Sequence, residues 1–362
     1  MMAFFRTYIV PGLIFQSVIV GGGYATGREL IEFFMPAGPA GGLLGLLVAG
    51  AVFGIVMALG FELARISKAY DYRSFTRALL GRAWVIYEIA YVALLLLVLS
   101  VITSAAGLLV ADMFQVPSLF GSAGMVTLVL YLVYGGAGLI KQALAAWSIL
   151  LYAVYITLFL LVFNQSGAEI SETFAGTPVG ETWFTSGFLY AGYNLAILPA
   201  VLFAVVSHTS RRQTMGAGLL AGLLGVVPAI LFFTAMMSQF PAIVDHPVPS
   251  ALLIQSLDLT WLSVLFQIVV FGTFVETGSA MLHAVNERIA GTVARPLPPA
   301  ARAAVAAGFL AAAIFLAEAV GIIDLIASGY CFLTLVFLGC LILPLLTLGA
   351  WRIFRAPAKQ AA

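Results

Sequence analysis

Charge is scarce in this chain. Asp, Glu, Lys and Arg supply 9% of its 362 residues and hydrophobic residues 63%, with a mean hydropathy of +1.12, more apolar surface than a soluble domain of this size can bury. Cysteine is nearly absent: Cys331 and Cys340, nine apart on one predicted helix, read as small apolar packing residues rather than a disulfide or metal pair. The three histidines, His208, His246 and His283, match no metal-ligand spacing. No polar stretch is long enough for a soluble domain. The ten-residue alternating segments of a membrane β-barrel are missing too. From Tyr8 onward no small-residue cleavage pattern of a secretory leader is evident.

What the chain has is long apolar runs, so the fold class expected is an all-α integral membrane protein. About 20 apolar residues cross the hydrocarbon core as helix. Ten such stretches can be drawn, with cores near Tyr8 to Phe34, Gly41 to Ile66, Trp84 to Ala111, Leu119 to Tyr134, Leu139 to Phe163, Thr185 to Ser207, Met215 to Phe240, Trp261 to Val285, Ala300 to Leu316 and Ile322 to Ala350.

The cations set the orientation. With the N-terminus inside, fifteen of the sixteen Lys and Arg residues fall in cytoplasmic segments and Arg28 is the exception, as the positive-inside rule requires. Acids such as Asp112, Glu169, Glu181 and Asp258 crowd the opposite side. The net charge of +1 therefore hides an asymmetry across the membrane and is no nucleic-acid surface. A multi-pass protein of the inner (cytoplasmic) membrane, both termini cytoplasmic, is expected. Its partners are the lipid bilayer and a small-molecule substrate, and nothing marks an oligomeric state.

A shift of about 170 to 185 residues lays the first five stretches over the second five. Five is odd, so the second set enters the membrane inverted, the repeat plan of many secondary transporters. Residues 1–163 form the first repeat, 164–184 ("NQSGAEISETFAGTPVGETW" lies here) the extracytoplasmic connection, 185–350 the second repeat and 351–362 a cytoplasmic tail. Helix-weakening residues fall at matching depths: Gly21, Gly22 and Gly23 in "GGGYATGRELIEFF" of the first stretch, and Gly192, Tyr193, Asn194 and Pro199 in "YAGYNLAILPAV" of the sixth. Irregular backbone at this depth must line a cavity or lie buried in protein, and paired breaks point to a binding site at the midplane. The competing reading is close packing on small residues.

These features resemble the LeuT-fold transporters of the amino acid, polyamine and organocation superfamily, and "GGGYATGRELIEFF" in particular resembles the YkvI-type permeases. The resemblance implies a ten-helix 5+5 inverted repeat with helices one and six broken. It implies a substrate site on their backbone: N–H groups of Gly22, Gly23 and Tyr24 for a carboxylate, carbonyls around Tyr190 to Tyr193 for an ammonium or cation, and Gly21, Tyr24, Gly192, Tyr193 and Asn194 as walls. Ser100, Thr103 and Ser104 of helix three would face them, or else bond between helices. An amino acid-like solute matches both poles.

Glu276, in "VVFGTFVETGSAMLHAV", is the costliest residue to hold in mid-membrane and is a functional candidate by default. By resemblance Thr273, Glu276 and Thr277 stand near cation-ligand positions, with the Val18 and Gly21 carbonyls opposite. A carboxylate there suits Na⁺, which favours oxygen ligands, or carries H⁺, or is a static hydrogen-bonded acid. No other cofactor is implied. Arg28 would gate the outer side against Asp324 in "GIIDLIASGY", with Glu29 and Glu32 as local competitors, Glu32 being at i+4.

The function expected is secondary active transport coupled to Na⁺ or H⁺. A channel or nontransporting sensor on the same scaffold is the alternative. An intramembrane enzyme would need a converging nucleophile and base or a metal cluster, and the pattern offers one isolated acid.

Overall fold

The computed structural model describes residues 2–245, 249–293, 295–320 and 330–355, and every described element is a helix. Among the described residues eight helices are long and apolar enough to cross a membrane. In chain order they and their shorter neighbours are α1 (2–19, its stretch Phe5–Ile9 wound as π-helix), α2 (Gly22–Ala25), α3 (Arg28–Phe34), α4 (Gly38–Ser67), α5 (Tyr72–Leu80), α6 (Trp84–Phe114), α7 (Leu119–Gly135), α8 (Ala137–Gly176), α9 (Trp183–Asn194), α10 (Arg211–Met236), α11 (Ala242–Asp245), α12 (Pro249–Gln255), α13 (Thr260–Val293), α14 (Pro299–Val320), α15 (Tyr330–Phe337) and α16 (Ala350–Arg355). Large apolar side chains such as Leu47, Ile89, Leu160 and Phe315 remain exposed on the outside of the bundle, where lipid rather than water would meet them.

Packing sorts the helices into two groups. One joins α1, α4, α9 and α10; the other joins α6, α7, α13 and α14, with α8 touching both. The α4/α10 pair is the most extensive. Between lipid-exposed helices burial of apolar area supplies little drive, so close backbone approach does the work. Here Gly50, Gly54 and Ala58 of α4 meet Gly218 and Gly222 of α10 so closely that a Cβ on Gly222 would collide with Gly54 backbone.

The cations gather at one end, tied across elements. Arg288 bonds Glu88 at 2.6 Å, Arg302 donates to the Tyr134 carbonyl at 2.7 Å, and Arg352 donates to the Ala78 carbonyl. Short α5 is held there by Asp71, whose carboxylate caps the Arg73 and Ser74 amides at 3.0 Å each. The connection drawn at 164–184 is helical to Gly176, because α8 bends at Ser166 (φ −129°, ψ 25°) and continues. Glu62 and Arg65 are bridged at the end of α4: Arg65 holds both Glu62 oxygens at 2.7 and 2.8 Å, and Thr214 of α10 donates to Glu62 at 2.6 Å. A carboxylate buried this deeply needs those partners.

Candidate functional site

Backbone bonding fails in α1 where the glycines begin. Val20 adopts φ −77°, ψ 66°, the inverse γ-turn, and the Gly21 amide accordingly bonds back to the Ile19 carbonyl at 2.8 Å. One turn of helix follows in α2. Gly27 then takes φ +80°, with Met236, Phe232 and Pro249 packed where a side chain would stand, so only glycine fits the entry to α3. The carbonyls released by this path find partners: Thr26 receives the Ser250 amide of α12 at 2.9 Å, and Val18 receives the Thr277 hydroxyl of α13 at 3.1 Å.

After α9, where the second break is expected, the winding tightens instead of opening. The α-helix runs through Gly192, Tyr193 and Asn194, then passes into 3₁₀ turns at Leu195–Ala200 and Leu202–Val205 around Pro199. Proline cannot donate the next α-helical bond, which fits a change of winding there. The Tyr190 carbonyl, expected to face a cation, already accepts the Asn194 amide at 3.0 Å. Gly192 turns away from the break: a Cβ there would meet Leu338 and Thr334 at 2.9 to 3.2 Å, so it serves packing against α15 and the turn that follows it. Tyr193 and Asn194 do reach the centre.

Helix α6 corrects a second expectation. The Ser100 hydroxyl donates to carbonyls of Leu96 and of Ala313 in α14, 2.7 Å each, and Thr103 lies against the Met125 sulfur of α7 at 3.8 Å. Ser104, half-buried, is not among the residues that line the central cavity. This polar cluster binds helices together; the face that α6 turns to the centre is apolar, Leu94 and Val98.

On α13, Glu276 is 3% exposed and accepts the Ser17 hydroxyl of α1 on Oε2. Its Oε1 has no hydrogen-bond partner among the described residues. Thr277 faces Val18 and Gly21, whereas the Thr273 hydroxyl returns to Val270 of its own helix at 2.6 Å. Four of the five expected coupling residues, Val18, Gly21, Glu276 with its Ser17 partner, and Thr277, thus surround the break, and Thr273 does not.

Arg28 pairs with Glu32 at i+4 and donates to the Val244 carbonyl of α11 at 2.9 Å, so the local partner holds it. Asp324 lies outside the described residues. With Arg28 and Glu32 sharing one face of α3, Glu29 points about 100° away and enters the centre. That side chain was read only as a competitor for Arg28; the helical offset was the signal. A central cavity of about 20 Å³, room for roughly one water, is lined by Val18, Gly21, Glu29, Tyr193, Asn194 and Thr277 together with apolar residues of α6 and α13. Tyr24 and Tyr190 are fully buried nearby with hydroxyls that find no partner among the described residues. A larger cavity of about 480 Å³ runs from Thr26 past Asp112 and Ser250 to Asp258 and Gln267.

No family model matches the chain. It is 27% identical over 274 residues, 70% of this chain and 74% of the other, to the uncharacterized membrane protein YkvI of Bacillus subtilis. Among solved structures it is similar to a Na⁺-coupled sialic acid symporter in a substrate-bound outward-open state (TM-score 0.69, 13% identity, 93% of this chain and 78% of that one). It is likewise similar to Mhp1, a nucleobase-cation-symport-1 family transporter, in a closed conformation with bromovinylhydantoin bound (0.61, 14%, 97% and 80%). A manganese transporter of Eremococcus coleocola gives 0.60 at 13%, covering 99% and 81%. All three are transporters and not enzymes. The all-helical architecture, the cavity at the break in α1 and these likenesses make the chain a LeuT-fold membrane protein that resembles YkvI.

Proposed function

We propose that the protein is a secondary active transporter of a small amino acid-like solute, working by alternating access and coupled to Na⁺ or H⁺. The observation that carries this reading is the meeting of α1 and α13 at the break: the Val18 carbonyl, the Ser17 and Thr277 hydroxyls and the Glu276 carboxylate converge beside the central cavity. Four oxygen-bearing groups at one irregular stretch suit a hard cation, and the single carboxylate among them can instead exchange a proton.

On this reading ten spans form the 5+5 inverted repeat, with α1 to α3 as the broken first helix and α9 with its 3₁₀ turns as the sixth. The two packing groups supply the moving parts: α1, α4, α9 and α10 rock against α6, α7, α13 and α14 around a fixed site. The cation-rich end faces the cytoplasm and both termini lie there, in the inner membrane. Gly21, Tyr193 and Asn194 then contact substrate, and Tyr24 backs the pocket.

The test is uptake into proteoliposomes loaded with the purified protein. Labelled amino acids are supplied with an imposed inward Na⁺ gradient, an imposed pH gradient, or neither. Accumulation above equilibrium under one gradient supports the reading; equilibration without accumulation favours a channel, and binding without flux a sensor.

A further inference from the structure

Glu29 is the one acid of the α1 to α3 segment that faces the cavity. Glu32 is occupied by Arg28, and Glu276 takes its hydrogen bond from Ser17 outside the ring of residues that line the space. The Glu29 carboxylate meets Asn194 Nδ2 at 3.5 Å, and among the described residues it has no ion-pair partner. A carboxylate left at this depth without a counter-charge is costly; it is relieved by taking up a proton or by a cation that a ligand brings. The Tyr24 and Tyr190 hydroxyls, buried and unpartnered among the described residues, belong to the neighbouring packing and do not line the cavity.

The chemistry of this surround selects among cations. A hard metal ion takes six or more oxygen ligands, yet Asn194 presents its N–H to Glu29, and much of the remaining lining is aliphatic: Ile19, Leu94, Val98, Ile197 and Met281. A primary ammonium instead needs three acceptors, and the cavity lining holds the Glu29 carboxylate and the Thr277 hydroxyl, with the Tyr193 ring beside them to attract a cation. It is also about the size of the water that the cavity admits. The carbonyl expected to receive an amine, that of Tyr190, is already bonded to Asn194.

We propose that Glu29 anchors the primary ammonium group of the solute, so that the central site selects amine-bearing compounds. This rests on the transporter reading for the word solute; the binding itself stands without it. The experiment uses the full chain in lipid nanodiscs and measures binding calorimetrically with four probes: alanine, ethanolamine, propionate and N,N,N-trimethylalanine. Alanine and ethanolamine bind the wild type, and the trimethylated compound and propionate bind at least tenfold more weakly. In Glu29→Gln the affinity for both amines falls by at least tenfold, and in Glu29→Asp it falls less while the order of the probes is kept. Propionate binding is unchanged in both variants, which shows that the pocket is intact.

Failure of both amines to bind the wild type overturns the proposal, as does unchanged amine affinity in Glu29→Gln or, should that variant not fold, in Glu29→Asp. Gradient-driven uptake separates the two claims. Glu29-dependent amine binding without accumulation removes the transporter and keeps the site; accumulation of a solute without an amine, unaffected by Glu29→Gln, does the reverse.

Discussion

Thr277 donates its hydroxyl to the carbonyl of Val18 at 3.1 Å, joining residues 259 apart in sequence. The bond exists because the inverse γ-turn at Val20 leaves that carbonyl without a helical donor. It therefore ties the irregular stretch of one packing group to a continuous helix of the other. Thr277→Val keeps the shape and removes the donor, and Thr277→Ser keeps both. Coupled uptake should fall by about tenfold or more in the valine variant, the scale of one hydrogen bond at a site that holds charge, and stay near wild type in the serine variant. Equal uptake in all three would remove this contact from the coupling site.

Glu276 shares that junction. Glu276→Gln preserves the bond from Ser17, since the amide oxygen still accepts, and abolishes both the negative charge and the exchangeable proton. Accumulation against a gradient should be lost while exchange of labelled for unlabelled substrate across the vesicle persists. Preserved accumulation would mean that Glu276 is a static acid.

Much of this architecture is legible in the apolar runs and in the placing of cations, because lipid imposes length and charge rules that a single sequence obeys openly. The break in α1 is legible as well, since three glycines are rarely neutral there. The side chains around it are less so. Ser100 and Gly192 have the right chemistry at the right depth but face α14 and α15, and a helix shows which way a residue points only once its neighbours are placed. Glu29 was hidden by proximity to Arg28, although Glu32 at i+4 was the better partner. The winding that follows α9 lay beyond reach, because proline can be answered by opening or by tightening the helix and only tertiary contacts decide.

Glu62 and Arg65 offer a test of the packing itself. The pair is nearly buried, with side chains 2% and 10% exposed, and it bonds Thr214 across to α10. Glu62→Ala removes the carboxylate that Arg65 and Thr214 share, and breaking a buried pair costs about 3–5 kcal/mol. Thermal unfolding in detergent should show a drop of several degrees, and a Glu62→Leu, Arg65→Met double variant should regain most of it.

Gly222 tests the closest helix contact. Any side chain there strikes the Gly54 backbone and the Gly50 carbonyl, which a small flexible neighbour could evade but backbone cannot. Gly222→Val should destabilise by about 1–3 kcal/mol or more, whereas Gly308→Ala, where a Cβ meets nothing within 4 Å, should leave the unfolding temperature within error. The comparison is made by thermal unfolding at one detergent concentration.

His208 lies in the connection before α10, outside the spanning helices, with Nε2 against the Thr7 carbonyl at 2.7 Å. Burial lowers its pKa below the usual 6.5, and nearby Lys141 adds to the effect. A histidine with a depressed pKa resists protonation in the folded chain and not in the unfolded one. Stability is therefore greatest above the unfolded value of about 6.5 and declines as pH falls through it toward the folded value, since the unfolded state then binds the extra proton. Unfolding temperatures measured between pH 7.5 and pH 5 should drop in the wild type and drop less in His208→Gln, whose side-chain amide can still donate to Thr7. Parallel pH profiles for the two proteins would show that His208 titrates alike in both states.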